Sequence, residues 1–444
     1  MHQEKVDYRK YLINRILLPI ISFTVTLGFG MAQIVMIYLL LSFEGILTTL
    51  PEELGTIPEA HLVAIHYSLM MSAFMLTRAF LARYFGNLSD LVGRKKLIIV
   101  GLFGYSLVSY GYVLSSNWIH LLIMRSLQGI ASAMVWPVAE ALIVDSAPWK
   151  ERGRWMSIYM MATNASFALG PALGVYVYKF GVIYYHLGVP DAFKFPFYAL
   201  FYLSLVSFLM SFMLRETIRI EGEKSQNRMK YKALRETLER SLPPEISRAI
   251  LVIYIMGFAN GVSMGFVSPL FTLYVNEYVT SDPVVLGWLS TISALAGILV
   301  SYPAGYISDI TGRKNIIILG QLGTRTMTLV LPFIRTVPGL LGVYVIRTVS
   351  FNIMSPVYRA LQGDLVPREL RGKVFGTVQT LFNLGAAASP FGGWIYLYTS
   401  DLTFNILGYI LPGVAVVFIL SALIGYFSTA LFILFVPEPR KREE

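Results

Sequence analysis

The chain has 444 residues, 55% of them hydrophobic and only 14% charged, with 36 Lys plus Arg against 26 Asp plus Glu, a net charge of +10 and no cysteine. Soluble domains carry about 25% charged residues, so a soluble chain of this length would lack the charge to cover its surfaces. The absence of cysteine excludes disulfide frameworks, zinc-thiolate sites, iron–sulfur clusters and cysteine nucleophiles.

Twelve apolar segments follow in chain order, over 16–41, 61–84, 97–115, 118–144, 154–179, 195–214, 248–276, 283–304, 316–334, 337–363, 373–399 and 405–436. Blocks of roughly 20 apolar residues match a bilayer core of about 30 Å. They are too long and too uniformly apolar for barrel strands, and only helices or closed barrels cross lipid. The expected fold class is therefore an all-α membrane protein with 12 transmembrane helices. Residues 1–15 are polar and the run after them is too long for a signal-peptide core, so it reads as a first membrane helix.

The basic residues set the orientation. The N-terminal segment and the loops after segments 2, 4, 8 and 10 carry most of the Lys and Arg, whereas residues 42–60 carry none and hold four Glu. The positive-inside rule places both termini in the cytoplasm, and the plasma membrane is the expected location. This pattern speaks for a lipid bilayer as partner and against nucleic acid. A polar stretch, 215–247, divides the chain into an N-terminal half, 1–214, and a C-terminal half, 248–444, of six helices each. Residues 229–240 within it have the pattern of a surface amphipathic helix, and the stretch reads as a cytoplasmic linker.

The halves repeat each other at an offset of 219. Gly86, Ser89, Asp90, Gly93, Arg94 and Lys95 map onto Gly305, Ser308, Asp309, Gly312, Arg313 and Lys314; Asp145 maps onto Asp364, Asn164 onto Asn383, Pro171 onto Pro390 and Gly174 onto Gly393. Segments 1 and 7 match at an offset of 233. Parallel repeats are related by an axis along the membrane normal, with the substrate site expected at their interface near the midplane. The run from Gly86 to Lys96 resembles the loop signature of the major facilitator superfamily, and Gly305 to Lys314 is its second copy. That resemblance covers nearly the whole chain. It implies a secondary transporter of two pseudo-symmetric six-helix bundles that rock about a central site, and it makes the charged loop contacts a cytoplasmic latch.

In the repeated loops the glycines permit tight turns, Asp90 is placed to cap a helix of the opposite bundle, and Arg94 and Arg313 are placed to pair with Asp145 and Asp364. Arg125 lies about 10 Å into the membrane on segment 4, on one face with Gln128, Ser132 and Glu140. An intramembrane charge faces a bundle interior or water. Arg125-Ser-Leu-Gln128-Gly129 resembles the segment 4 signature of drug:proton antiporters, whose Arg is implicated in proton coupling. Arg347, aligned with Gln128, stands near mid-membrane; Arg78 and Arg325 also lie in apolar segments, and Arg325 reads as structural. Glu140 and its repeat mate Arg359 suggest a salt bridge across the interface, with a proton site as the other reading. Gln33, Asn164, Asn260 and Asn383 are the amides expected in the central cavity. Gly170-Pro171 with Gly174, and Pro390 with Gly393, let helices bend and neighbours approach; Gly170 to Gly174 partly resembles the segment 5 antiporter signature.

No Walker sequence, potassium-filter sequence, metal-ligand cluster or catalytic constellation is present, so neither an enzyme nor a directly ATP-driven pump is expected. The expected function is proton-coupled efflux of amphipathic small molecules by a monomer, powered by a proton gradient with no bound cofactor. An organic-anion carrier using Arg125 and Arg347 is the alternative, and a non-transporting receptor or scaffold is the third.

Overall fold

A computed structural model of the chain describes residues 8–148, 151–217, 242–406 and 408–438. Most of the 215–247 linker, including 229–240, and the charged ends of the chain lie outside the described residues. The helices are α1 (Leu12–Phe43), α2 (Ala64–Val92), α3 (Arg94–Leu114), α4 (Trp118–Asp145), α5 (Arg152–Tyr185), α6 (Asp191–Ser211), α7 (Pro244–Tyr278), α8 (Pro283–Thr311), α9 (Arg313–Val330), α10 (Val337–Leu365), α11 (Arg368–Ala386), α12 (Ser389–Tyr398) and α13 (Ala415–Phe435). Among the described residues, eleven helices are long and apolar enough to cross a membrane. The architecture is that of an all-α membrane protein, and large apolar side chains such as Phe80, Tyr302, Leu299 and Phe427 stand on its surface, where a lipid solvent accepts them.

Three elements differ from the sequence expectation. Segment 11 is broken into α11 and α12. Pro390 lacks the N–H that would bond to the carbonyl of Ala386, and its ring crowds that carbonyl, so α11 stops at Ala386. Segment 12 opens with a hairpin rather than a helix: β1 (Thr403–Ile406) pairs antiparallel with β2 (Tyr409–Pro412), Ile406 opposite Tyr409. Gly408 at φ 84° makes the turn, with Thr, Phe, Ile and Tyr as strand formers beside it. The repeated "loop", finally, is almost all helix. α2 runs to Val92 and α3 begins at Arg94; α8 runs to Thr311 and α9 begins at Arg313. A single glycine makes each turn, Gly93 at φ 106° and Gly312 at φ 98°, a conformation open to glycine and strained for any other residue.

By contact the chain forms two compact units, the first of Met1–Ile57, Ala73–Ile220 and Ser281–Thr291, the second of Pro58–Ser72, Glu221–Thr280 and Ile292–Glu444. This grouping follows the sequence halves except that the start of α2 belongs to the second unit and the start of α8 to the first. In the first unit α1 packs on α5 and α6, and α3 on α4 and α6; in the second α7 packs on α11 and α13, and α9 on α10 and α13. The packing partners are thus the same at equivalent places.

Small residues allow the closest crossings. In the first unit a Cβ on Gly170 would stand 2.8 Å from the Cα of Gly30, and one on Gly174 would strike the backbone of Met31. In the second, a Cβ on Gly265 would stand 2.5 Å from the carbonyl oxygen of Ala386. Backbones this close are what glycine at a helix interface permits. Repeat-related side chains also fill equivalent cores, Ile98, Val138 and Leu142 in one unit and Ile317, Val357 and Leu361 in the other.

Candidate functional site

The basic end of the first unit is organised around the Gly93 turn. Arg94 pairs with Asp145 at the last residue of α4 and makes a longer contact, 3.5 Å, with Asp90 one turn back. Asp90 thus engages the cation of its own unit. The carboxylate of Glu216 accepts from the backbone N–H of Lys95 at 3.0 Å, and the Lys95 ammonium donates to the carbonyl of Phe212 at 2.7 Å. The second unit repeats this chemistry. Arg313 pairs with Asp364 at 2.6 Å, Glu438 accepts from the N–H groups of Arg313 and Lys314, both at 2.7 Å, and the Lys314 ammonium donates to the carbonyl of Ile433 at 2.7 Å. In each unit a carboxylate sits on orphan N–H groups at a helix N-terminus, where the helix dipole favours an anion, and a lysine satisfies a carbonyl near the end of the unit's last helix. Gly86 and Gly305 face open space, and the side chain of Asp309 lies outside the described part.

Arg125 is 1% exposed inside the first unit. One of its Nη atoms donates to Oε1 of Gln128 at 3.1 Å, and the same oxygen accepts from the Tyr112 hydroxyl at 2.9 Å. The guanidinium lies 5.4 Å from the ring centre of Phe29 and 6.0 Å from that of Phe74. Its Nε and second Nη atom are buried without a hydrogen-bond partner. The charge therefore rests on one amide oxygen and two aromatic faces, which attract a cation through their quadrupoles.

Arg347 is half-buried on α10 and donates through Nε to the Thr328 hydroxyl at 3.1 Å. Arg325, 7% exposed on α9, hydrogen-bonds the side-chain oxygen of Asn260 on α7. The two guanidiniums act on each other electrostatically. Asn260 and Arg347, both expected in a central cavity, thus share a neighbourhood with an arginine that the sequence reading set aside.

Gln33 is half-buried on α1, Asn164 is exposed on α5, and Asn383 is half-buried on α11, accepting from Gln379 at 3.1 Å. Glu140, half-buried on α4, acts electrostatically on Tyr159, as does Arg78. Arg359 is exposed on α10 in the second unit. Pro171 lies inside α5 and Pro390 opens α12, while Gly393 abuts the carbonyl of Ala64 and the hydroxyl of Ser68.

Two groups escaped the sequence reading. Glu216 and Glu438 are 222 residues apart and so fall outside the constant register of 219; a search for an acid closing each half would have found them. At the opposite end of the second unit, Glu277 is buried and joins His61, 2.9 Å, to the Tyr396 hydroxyl, 3.1 Å. Glu277 matches Glu44 at the offset of 233 that relates segments 1 and 7, an available signal. In the first unit the comparable part is taken by Glu52, which accepts from Tyr178 at 3.1 Å and pairs with Lys179 at 2.8 Å.

The family model described as Major Facilitator Superfamily matches residues 18–252 and 253–444. The chain belongs to this superfamily and is a membrane transporter, not an enzyme. It is 25% identical over 379 residues to multidrug resistance protein 2 of Bacillus subtilis, covering 83% of this chain and 90% of that protein. It is 23% identical over 328 residues to multidrug resistance protein MdtG of Salmonella arizonae, covering 73% and 77%. Among solved structures, the inward-open xylose transporter XylE from E. coli aligns with a TM-score of 0.65 at 15% identity, covering 96% of this chain and 98% of that one. A bacterial homolog of the human lysosomal transporter Spinster, inward-facing and unoccupied, aligns with 0.69 at 14%, covering 97% and 98%. These two likenesses concern the fold.

Proposed function

We propose that the protein exports amphipathic small molecules in exchange for protons, as a monomer of the plasma membrane with both termini in the cytoplasm. Two six-helix bundles, 1–214 and 248–444, joined by the linker 215–247, rock in alternating access. The glycine turns with their Arg–Asp pairs hold the cytoplasmic ends in defined shape during each half-cycle. The names of the multidrug-resistance relatives support the substrate class.

The observation that carries the coupling reading is Arg125, a buried guanidinium held by Gln128 and two ring faces with two nitrogens unpartnered. A permanent charge in such surroundings makes the site's electrostatics depend strongly on any proton or cation that enters. The experiment is dye transport by reconstituted full chain in proteoliposomes, with and without an imposed pH gradient. The expected result is proton-driven movement of an amphipathic cation that Arg125→Gln abolishes while the protein remains monodisperse. Flux indifferent to the pH gradient overturns the coupling, and the absence of flux for amphipathic cations overturns the substrate class.

A further inference from the structure

Arg325 and Arg347 lie in the second unit with only neutral acceptors around them. Each guanidinium has five N–H donors and keeps its charge in proteins. Asn260 takes one hydrogen bond from Arg325, Thr328 takes one from Arg347, and Nε of Arg325 is buried with no partner. Among the described residues no carboxylate reaches either group; the neighbours that act on them electrostatically are each other and the hydroxyls of Tyr426 and Tyr344.

Two neighbouring like charges without a counterion, one buried and one half-buried, are unfavourable, because desolvation and mutual repulsion both oppose them. The surroundings are nevertheless shaped to hold Arg325. Gly425 on α13 leaves the space that its Cδ and Nε occupy, since a Cβ there would strike both. Arg347 keeps part of its surface accessible, and beside it Tyr344 stacks on Phe271 with ring centres 4.5 Å apart. A cationic pair with spare donors next to an aromatic pair has the chemistry of a receptor for an organic anion.

We propose that Arg325 and Arg347, with Asn260 and Thr328, form an anion-binding site among α7, α9 and α10 that takes the carboxylate of an amphipathic organic acid, its apolar part lying on Phe271 and Tyr344. The site is independent of proton-coupled export: it stands whether the anion is cargo or a resident counterion.

The test is equilibrium binding of tritiated naphthoate to the full chain in nanodiscs, with no gradient, so that failed coupling leaves the readout intact. Naphthoate binds saturably to the wild type, and Arg347→Gln and Arg325→Gln each weaken it by about tenfold or more, the loss of a charge-assisted pair. Arg347→Lys retains more affinity than Arg347→Gln. Full competition by chloride, with the same arginine dependence, shows that the arginines read charge alone and overturns the organic acid as occupant; indifference to chloride supports it. Should Arg325→Gln fail to fold, the two Arg347 variants, on a half-buried side chain, carry the test. Unchanged affinity in the folded Gln variants, or equal binding of neutral naphthamide, overturns the proposal.

Discussion

The two units are alike where they turn and unlike where they bury charge. At the basic end each has a positive-φ glycine, an Arg–Asp pair, a capping glutamate and a lysine bonded to a terminal carbonyl. Inside, the first unit wraps Arg125 in phenylalanine faces and pairs the buried Arg15 with Glu151, whereas the second sets Arg325 and the half-buried Arg347 among an amide and hydroxyls. Position 125 corresponds to Tyr344 and Gln128 to Arg347, so the buried cation changed place between repeats. A turn is constrained by backbone geometry, which both units share. A buried polar group is constrained by what it meets, and that is free to diverge.

The largest expected effect concerns the opposite ends, where each unit ties a glutamate to a tyrosine and a cation. Glu277 is buried and its cation is His61; the cation of Glu52 is a more exposed lysine. Removing one member of a buried pair strands the other, so Glu277→Gln should destabilise the protein by about 3 kcal/mol. Glu52→Gln should cost about 1 kcal/mol or less. The His61 pair exists as an ion pair only with a protonated imidazole. Its contribution is present in mild acid and fades as rising pH deprotonates His61. Thermal melting in nanodiscs across the neutral range should show that fade in the wild type and not in His61→Gln. Equal losses in both glutamate variants would show the ends to be equivalent.

Next come the turns. Gly93 and Gly312 sit at φ 106° and 98°, and a Cβ on Gly93 would stand 2.6 Å from the Glu216 carboxylate. Alanine at either position should therefore cost about 2 kcal/mol and displace the cap. The two losses should agree closely when melting curves are compared. A loss confined to one unit would break the symmetry of the basic end.

Much of this was legible in the sequence. Membrane helices follow from apolar length, and the fixed register of 219 exposes the duplicated turn, including the Arg–Asp partners. The site was less legible for identifiable reasons. Glu216 and Glu438 act from beyond the last helix of each unit, at a spacing that insertion has shifted by three. Arg325 read as structural, yet its long side chain crosses to α7 over the gap at Gly425. The break before Pro390 and the hairpin at 403–412 interrupt runs whose hydropathy is continuous, because proline and Gly408 act on backbone geometry and not on apolarity.

The smallest effect on stability is expected at the Arg–Asp pairs. Asp145 and Asp364 are each about 40% exposed on the side chain, 39% and 40%. Exposed pairs contribute between about 0 and 1 kcal/mol and weaken with salt. Asp145→Asn and Asp364→Asn should therefore leave melting nearly unchanged. If the pairs serve the transport cycle, their loss appears elsewhere, as a change in the balance of conformers. Spin labels at the basic ends of α4 and α10 would read that balance as a distance distribution. A shift in both variants with unchanged melting assigns the pairs to the cycle. A large melting change with an unshifted distribution assigns them to holding each unit together, and the likeness of the two basic ends is then purely architectural.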